Sequence, residues 1–157
     1  MIRIGIICPS EIAFRRFLPA LQQASDKFQF TAIGIASPEE WFGDISNVSS
    51  DIIAKQQNGE LAKARQFTEQ YGGKVITGYY ALVSSPEIDA VYCPLPPALH
   101  YQWAKLALEN DKHVFLEKPS TTSYADTEAL ITLASKKKSS SARELYVYIS
   151  FTNRRNK

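Results

Sequence analysis

The sequence predicts an α/β protein built on a doubly wound, mostly parallel sheet in three layers. Three observations carry that prediction. Short, largely apolar segments recur along the chain, as strands covered on both faces require. Segments with apolar residues at helical spacing stand between them. Turn residues punctuate the junctions, most clearly Cys8-Pro9-Ser10 and Pro94-Leu95-Pro96-Pro97. Strand–helix alternation of this kind gives parallel strands joined by right-handed crossovers.

The elements follow in order. A first strand at 2–7 leads to a helix at 11–23, with Ala13, Phe17, Ala20 and Leu21 on its buried face. Pro19 lies inside that helix and is expected to kink it or end it early. A second strand spans 30–36. From Ser37 to Glu60 the pattern breaks at Pro38, Gly43 and Ser49-Ser50. This stretch reads as an insertion, at about 39–60, with one short helix at 51–56. A helix at 61–71 ends on Gly72-Gly73, a suitable C-cap. A strand at 74–76 and a short helix at 80–84 follow, then a strand at 90–93. The helix at 99–110 carries Trp103, Ala104, Ala107 and Leu108 on one face. A strand at 113–116 precedes a helix at 124–136, which buries Ala129, Leu130, Leu133 and Ala134. A last strand is expected at 145–151.

The chain has 157 residues, room for one domain with a proper core. Its net charge of +2 gives no reason to expect nucleic acid as a partner, and Lys136-Lys137-Lys138 reads as a solvated helix end. No apolar run approaches the roughly 20 residues of a bilayer span, so no membrane is expected. Two cysteines without metal-ligand spacing suggest a reducing, cytoplasmic setting and no metal.

The chemistry concentrates at strand ends, where ligands bind in open parallel sheets. Glu117-Lys118-Pro119 follows the apolar run His113-Val114-Phe115-Leu116 and puts an ammonium at the rim of such a crevice. Taken alone, the tripeptide would be a surface ion pair beside a turn. A second such segment is Ile88-Asp89-Ala90-Val91-Tyr92-Cys93-Pro94-Leu95-Pro96-Pro97-Ala98-Leu99-His100.

With the first strand, Ile2-Arg3-Ile4-Gly5-Ile6-Ile7, these segments resemble the N-terminal half of the Gfo/Idh/MocA oxidoreductases. The resemblance covers 1–138 apart from the insertion and implies a Rossmann-like, dinucleotide-binding domain. It implies NADP or NAD as cofactor and a small carbohydrate-like substrate, a sugar, inositol or related polyol. It assigns Lys118 to the nicotinamide ribose and the substrate hydroxyl, where an ammonium can stabilise a developing alkoxide. Glu117 would orient Lys118, and Pro119 would restrict it to extended conformations. Pro94, Leu95 and Pro96 would pass under the nicotinamide, and His100 would line the site.

Two motifs depart from the family. Its glycine-rich turn after the first strand reads Cys8-Pro9-Ser10-Glu11-Ile12-Ala13 here, and only the last small residue fits. Ser10 can cap the helix and donate to a phosphate, while Glu11 would repel one. These five residues, Cys8 to Ile12, are the expected pyrophosphate loop, against the plainer reading of a capped strand–helix connection. At the end of the second strand the usual ribose-binding acid is missing from Ala36-Ser37-Pro38. Ser37 leans the site toward NADP, or Ser37-Pro38 is simply a turn.

Residues 139–157 form an atypical tail that could fill a last strand. Back-translated with permitted codons and read one base later, the tail resembles the family's continuation. The expectation is therefore a frameshifted, truncated oxidoreductase, inactive in isolation. Its missing second domain would leave apolar surface through which copies could associate. The other reading is a non-catalytic nucleotide- or protein-binding module.

Overall fold

The computed structural model describes residues 1–140 and 147–149. The rest of the tail, and with it the frameshift expectation and the basic end at Arg154-Arg155, lies outside the described residues. Six parallel strands form one sheet in the order β3-β2-β1-β4-β5-β6. They are β1 (Ile2–Ile7), β2 (Phe28–Ile35), β3 (Lys74–Thr77), β4 (Ala90–Cys93), β5 (His113–Leu116) and β6 (Val147–Ile149). The order reverses between β1 and β4, which fixes the crevice of a doubly wound sheet beyond Cys8 and Cys93.

Two apolar clusters cover the sheet's faces. Ile4, Ile6, Ile33 and Tyr92 pack with Ala13, Leu18, Ala64 and Phe67 on one side. Ile7, Val91, Val114 and Leu116 pack with Leu82, Trp103, Leu108 and Leu130 on the other. The helices on that second side are α4 (Tyr79–Ser84), α5 (Pro97–Glu109) and α6 (Tyr124–Ser140). At the opposite end from the crevice, Arg3 pairs with Asp89 at 2.8 Å and joins the starts of β1 and β4.

Three local expectations are corrected. The helix expected at 11–23 is a π-helical turn, Ala13–Phe17, followed by α1 (Leu18–Gln22). Pro19 explains the change, because it brings no N–H and its ring collides with the carbonyl four residues back. The wider turn relieves that clash, and the Leu18 N–H reaches the Ala13 carbonyl five residues back. The buried face therefore steps from Ala13 to Leu18, and Ala20 is exposed.

The second correction concerns the insertion. No break separates helices at 51–56 and 61–71; α3 (Ser50–Tyr71) is one helix of 22 residues running through Gly59. A mid-helix glycine costs only ~1 kcal/mol against alanine. The burial of Ala64 and Phe67 along one face outweighs it. Before it, α2 (Pro38–Phe42) starts on a capping box of Ser37 and Glu40. The third is smaller: Ala129 of α6 is exposed, while Leu130 and Ala134 are buried.

Candidate functional site

The β1–helix connection forms the floor of the crevice. Cys8 sits at φ 75°, the left-handed region that a glycine adopts without strain. Its side chain packs beside the cluster that includes Tyr79, Trp103 and Ala104. Pro9 is buried, and the Ser10 N–H returns to the Cys8 carbonyl at 2.9 Å. Ser10 Oγ then accepts the Ala13 N–H at 3.2 Å and caps the helical segment. The N–H groups of Glu11 and Ile12 have no acceptor among the described residues, as an anion-binding turn requires.

Glu11 does not stand there as an uncompensated negative charge. It pairs with Arg15 at 2.6 Å on the helix surface. Cys8, Pro9, Ser10, Glu11, Arg15 and Lys63 line a cleft of about 450 Å³. Lys63 also bonds Glu60 at 3.0 Å. The backbone donors, the serine and the two cations suit a pyrophosphate, although two glycines of the family pattern are absent.

At the end of β2, Ser37 is the N-cap of α2, where its hydroxyl accepts from the Glu40 N–H and donates to Glu39. The Glu40 carboxylate accepts from three backbone N–H groups, those of Ser37, Tyr79 and Tyr80. It thereby fastens α2 to the start of α4. Glu40 was not singled out from the sequence, though the spacing Ser37-x-x-Glu40 is the signature of a capping box.

On the far side of the crevice, Glu117 follows β5 and its N–H reaches the Cys93 carbonyl. Glu117 Oε1 accepts the Tyr92 hydroxyl at 2.6 Å. The Tyr92 ring stacks on Phe17 at 3.8 Å and 5°. Burial, reinforced by the Glu117 carboxylate, pushes the Tyr92 phenol up, so it stays a donor. Sequence reasoning missed this clamp because the pairing of Tyr92 with Glu117 depends on register between β4 and β5, not on spacing along the chain. Lys118 is exposed at the rim and its peptide bond to Pro119 is cis.

His100 has no exposed surface. Its Nε2 lies 2.6 Å from the Leu95 carbonyl, and its Nδ1 lies 3.1 Å from the carbonyls of Pro119 and Ser120. The ring therefore ties the Pro94-Leu95-Pro96 loop to the turn that carries Lys118, and it is enclosed by those loops. Leu95 is buried, Pro94 half-buried and Pro96 exposed. The structure thus gathers the two loops into one unit beside β4 and β5, with Cys8 to Ile12 across β1 and Ser37 at the outer end.

Cys8 and Cys93 are free thiols near enough to interact electrostatically. Burial pushes the Cys93 thiol up to about 12 and raises that of Cys8 as well. Among the described residues, no group of three His, Cys, Asp or Glu could hold a metal. Among the same residues, no helix is long and apolar enough to cross a membrane.

Fold and site together define a dinucleotide-binding Rossmann domain with a lysine at the rim of its crevice. The model of the oxidoreductase family with an NAD-binding Rossmann fold matches residues 47–142, and the chain belongs to that family, Gfo/Idh/MocA. It is similar to the dTDP-3,4-didehydro-2,6-dideoxy-alpha-D-glucose 3-reductase of Saccharopolyspora spinosa. The two are 35% identical over 148 residues, 94% of this chain and 37% of that protein. The enzyme of the same name from Actinomadura kijaniata is 38% identical over 85% of this chain and 33% of its own length. A crystal structure of a 3-ketoreductase from Actinomadura kijaniata with NADP and TDP-benzene superposes with a TM-score of 0.67 at 37% identity. That match covers 87% of this chain and 34% of the other. The chain spans about a third of the length of these relatives.

Proposed function

We propose that the chain is the cofactor-holding part of an NAD(P)-dependent oxidoreductase acting on a carbohydrate-like substrate. The relatives named above make a nucleotide-linked keto sugar the leading substrate class. One observation carries the reading. The turn with Lys118 is anchored twice, by Tyr92 through Glu117 and by His100 through Pro119 and Ser120. A surface ion pair beside a turn has no use for such anchoring.

The dinucleotide, when bound, supplies or takes up the hydride. The residues of this chain do the rest. Ser10, the N–H groups of Glu11 and Ile12, and Lys63 hold the pyrophosphate. Cys8 and Pro9 shape that turn, and Ser37 lies at the adenosine end. Pro94, Leu95 and Pro96 form the wall under the nicotinamide, with His100 fixing it from behind. Lys118 donates to the substrate oxygen and stabilises negative charge as it develops there. Glu117 and Pro119 keep its ammonium at the rim.

By itself the chain holds cofactor without turning over a polyol, and copies of it associate through apolar surface. The free thiols fit a reducing cytoplasm. Titration with NADH and NADPH, read by nicotinamide fluorescence, tests the reading. Saturable binding below millimolar concentration is expected, with Lys118→Ala weakening it by ~1 kcal/mol or more. An absence of saturation with both would favour a non-catalytic module, for which the strained Cys8 turn is the supporting observation.

A further inference from the structure

We propose that Arg16 anchors the phosphate of a nucleotide-linked substrate, in a second cleft on the β4–β5 side of the first helical turn. The inference rests on the oxidoreductase reading above and concerns only how its substrate is held. Two clefts lie against the turn after β1. The first, with Lys63, is the one assigned above to the dinucleotide's pyrophosphate. The second has a volume of about 280 Å³ and is lined by Glu11, Ile12, Arg15 and Arg16. Arg16 takes no part in the first.

The π turn sets the direction of each side chain. Phe14 packs on Phe67 and Tyr71 of α3, with ring centroids 5.1 and 5.5 Å apart. Phe17 packs on Tyr92 of β4 and Phe115 of β5. A π turn advances roughly a quarter turn per residue. Arg15 and Arg16 therefore fill the arc between the two phenylalanines, Arg15 beside Phe14 and Arg16 beside Phe17. Arg15 accordingly lines both clefts, and Arg16 only the one away from α3. That side leads to the reacting end, because Tyr92 under Phe17 bonds Glu117, the neighbour of Lys118.

The charges of the cleft are unequal. Glu11 is paired with Arg15 at 2.6 Å, so those two cancel. Arg16 is exposed and makes no ion pair or hydrogen bond among the described residues. It leaves one uncommitted positive charge on a planar fork that matches two phosphate oxygens. Ile12, 42% exposed, gives the cleft an apolar wall. In a nucleotide-linked sugar only the sugar ring separates the phosphate from the reacting carbon. With the sugar's oxygen at Lys118, the ring lies along Ile12 and the phosphate meets Arg16.

The test is calorimetric titration of the 157-residue chain, first saturated with NADPH, with uridine 5′-diphosphate. Uridine serves as the control without phosphate. The variants are Arg16→Ala and Arg16→Lys, and far-ultraviolet dichroism confirms that each is folded. Saturable binding of the diphosphate, and none of uridine, is expected. Arg16→Ala should weaken it at least about fivefold, and Arg16→Lys by less, since lysine keeps the charge and loses the fork. The affinity for NADPH, measured beforehand, should be the same in both variants. No binding of the diphosphate, or equal binding in Arg16→Ala, would overturn the inference and leave the dinucleotide reading intact. A matching loss of NADPH affinity in Arg16→Ala would also overturn it, by giving Arg16 to the cofactor's own phosphates. A chain that binds no NADPH would overturn the dinucleotide reading and the inference with it.

Discussion

Cys93 carries a clear pH signature. Its ordinary value of 9.0 is pushed up to about 12 by burial at the end of β4. The fold therefore prefers the protonated thiol. This contribution is complete below pH 9.0, the unfolded value, and is lost as pH rises toward 12. The slope is at most about 1.4 kcal/mol per pH unit for one group. The raised thiol of Cys8 and the raised phenols of Tyr79 and Tyr92 act in the same direction. Thermal melts should give a midpoint that is flat to about pH 9 and falls beyond it, less steeply in Cys93→Ala. A midpoint that rises between pH 9 and 11 would contradict the burial argument. The sequence showed both thiols at strand ends, but not their protonation, which depends on enclosure by residues far apart in the chain. Likewise the surroundings of His100 marked it as part of the site, while its burial between two loops could come only from the packing of α5 against the β5–α6 turn.

The elements were legible where one apolar pattern filled one secondary structure. The segments at 90–93 and 113–116 are β4 and β5 as expected, because short apolar runs between prolines leave few alternatives. The stretch from Ser37 to Glu60 reads as an insertion in the sequence because its turn residues act only locally. Ser37 and Ser49 are helix caps, not loop markers. Gly59 falls in the stretch whose pattern reads as irregular, yet α3 runs through it. Nothing lies within 4 Å of a Cβ added there. Gly59→Ala should therefore stabilise the protein by ~1 kcal/mol, read as a raised urea midpoint with unchanged m-value. A neutral or destabilising result would mean that α3 is broken near Glu60. The π turn before Pro19 is a similar case. Pro19 is visible in the sequence, but the wider turn that accommodates it, with Leu18 buried, is visible only in the fold.

At the scale of the whole molecule, the sheet order 3-2-1-4-5-6 converts scattered motifs into one crevice. Cys8 and Glu117 are over a hundred positions apart, yet β1, β4 and β5 are successive neighbours. The resemblance carried by Glu117-Lys118-Pro119 anticipated this, and strand alternation alone would have given only the fold class. The departures at Cys8 and Ser10 look like losses in the sequence. In the fold the left-handed turn at Cys8 and the cap at Ser10 remain. The account's central claim is that this crevice still holds a dinucleotide. The most direct measurement is a two-dimensional amide NMR titration of the 15N-labelled chain with NADH. The account predicts saturable shifts confined to the amides of Ser10 to Ala13, Ser37, Glu39, Glu40, Cys93, Leu95 and Glu117 to Lys118. Shifts centred elsewhere, or none at millimolar cofactor, would contradict it.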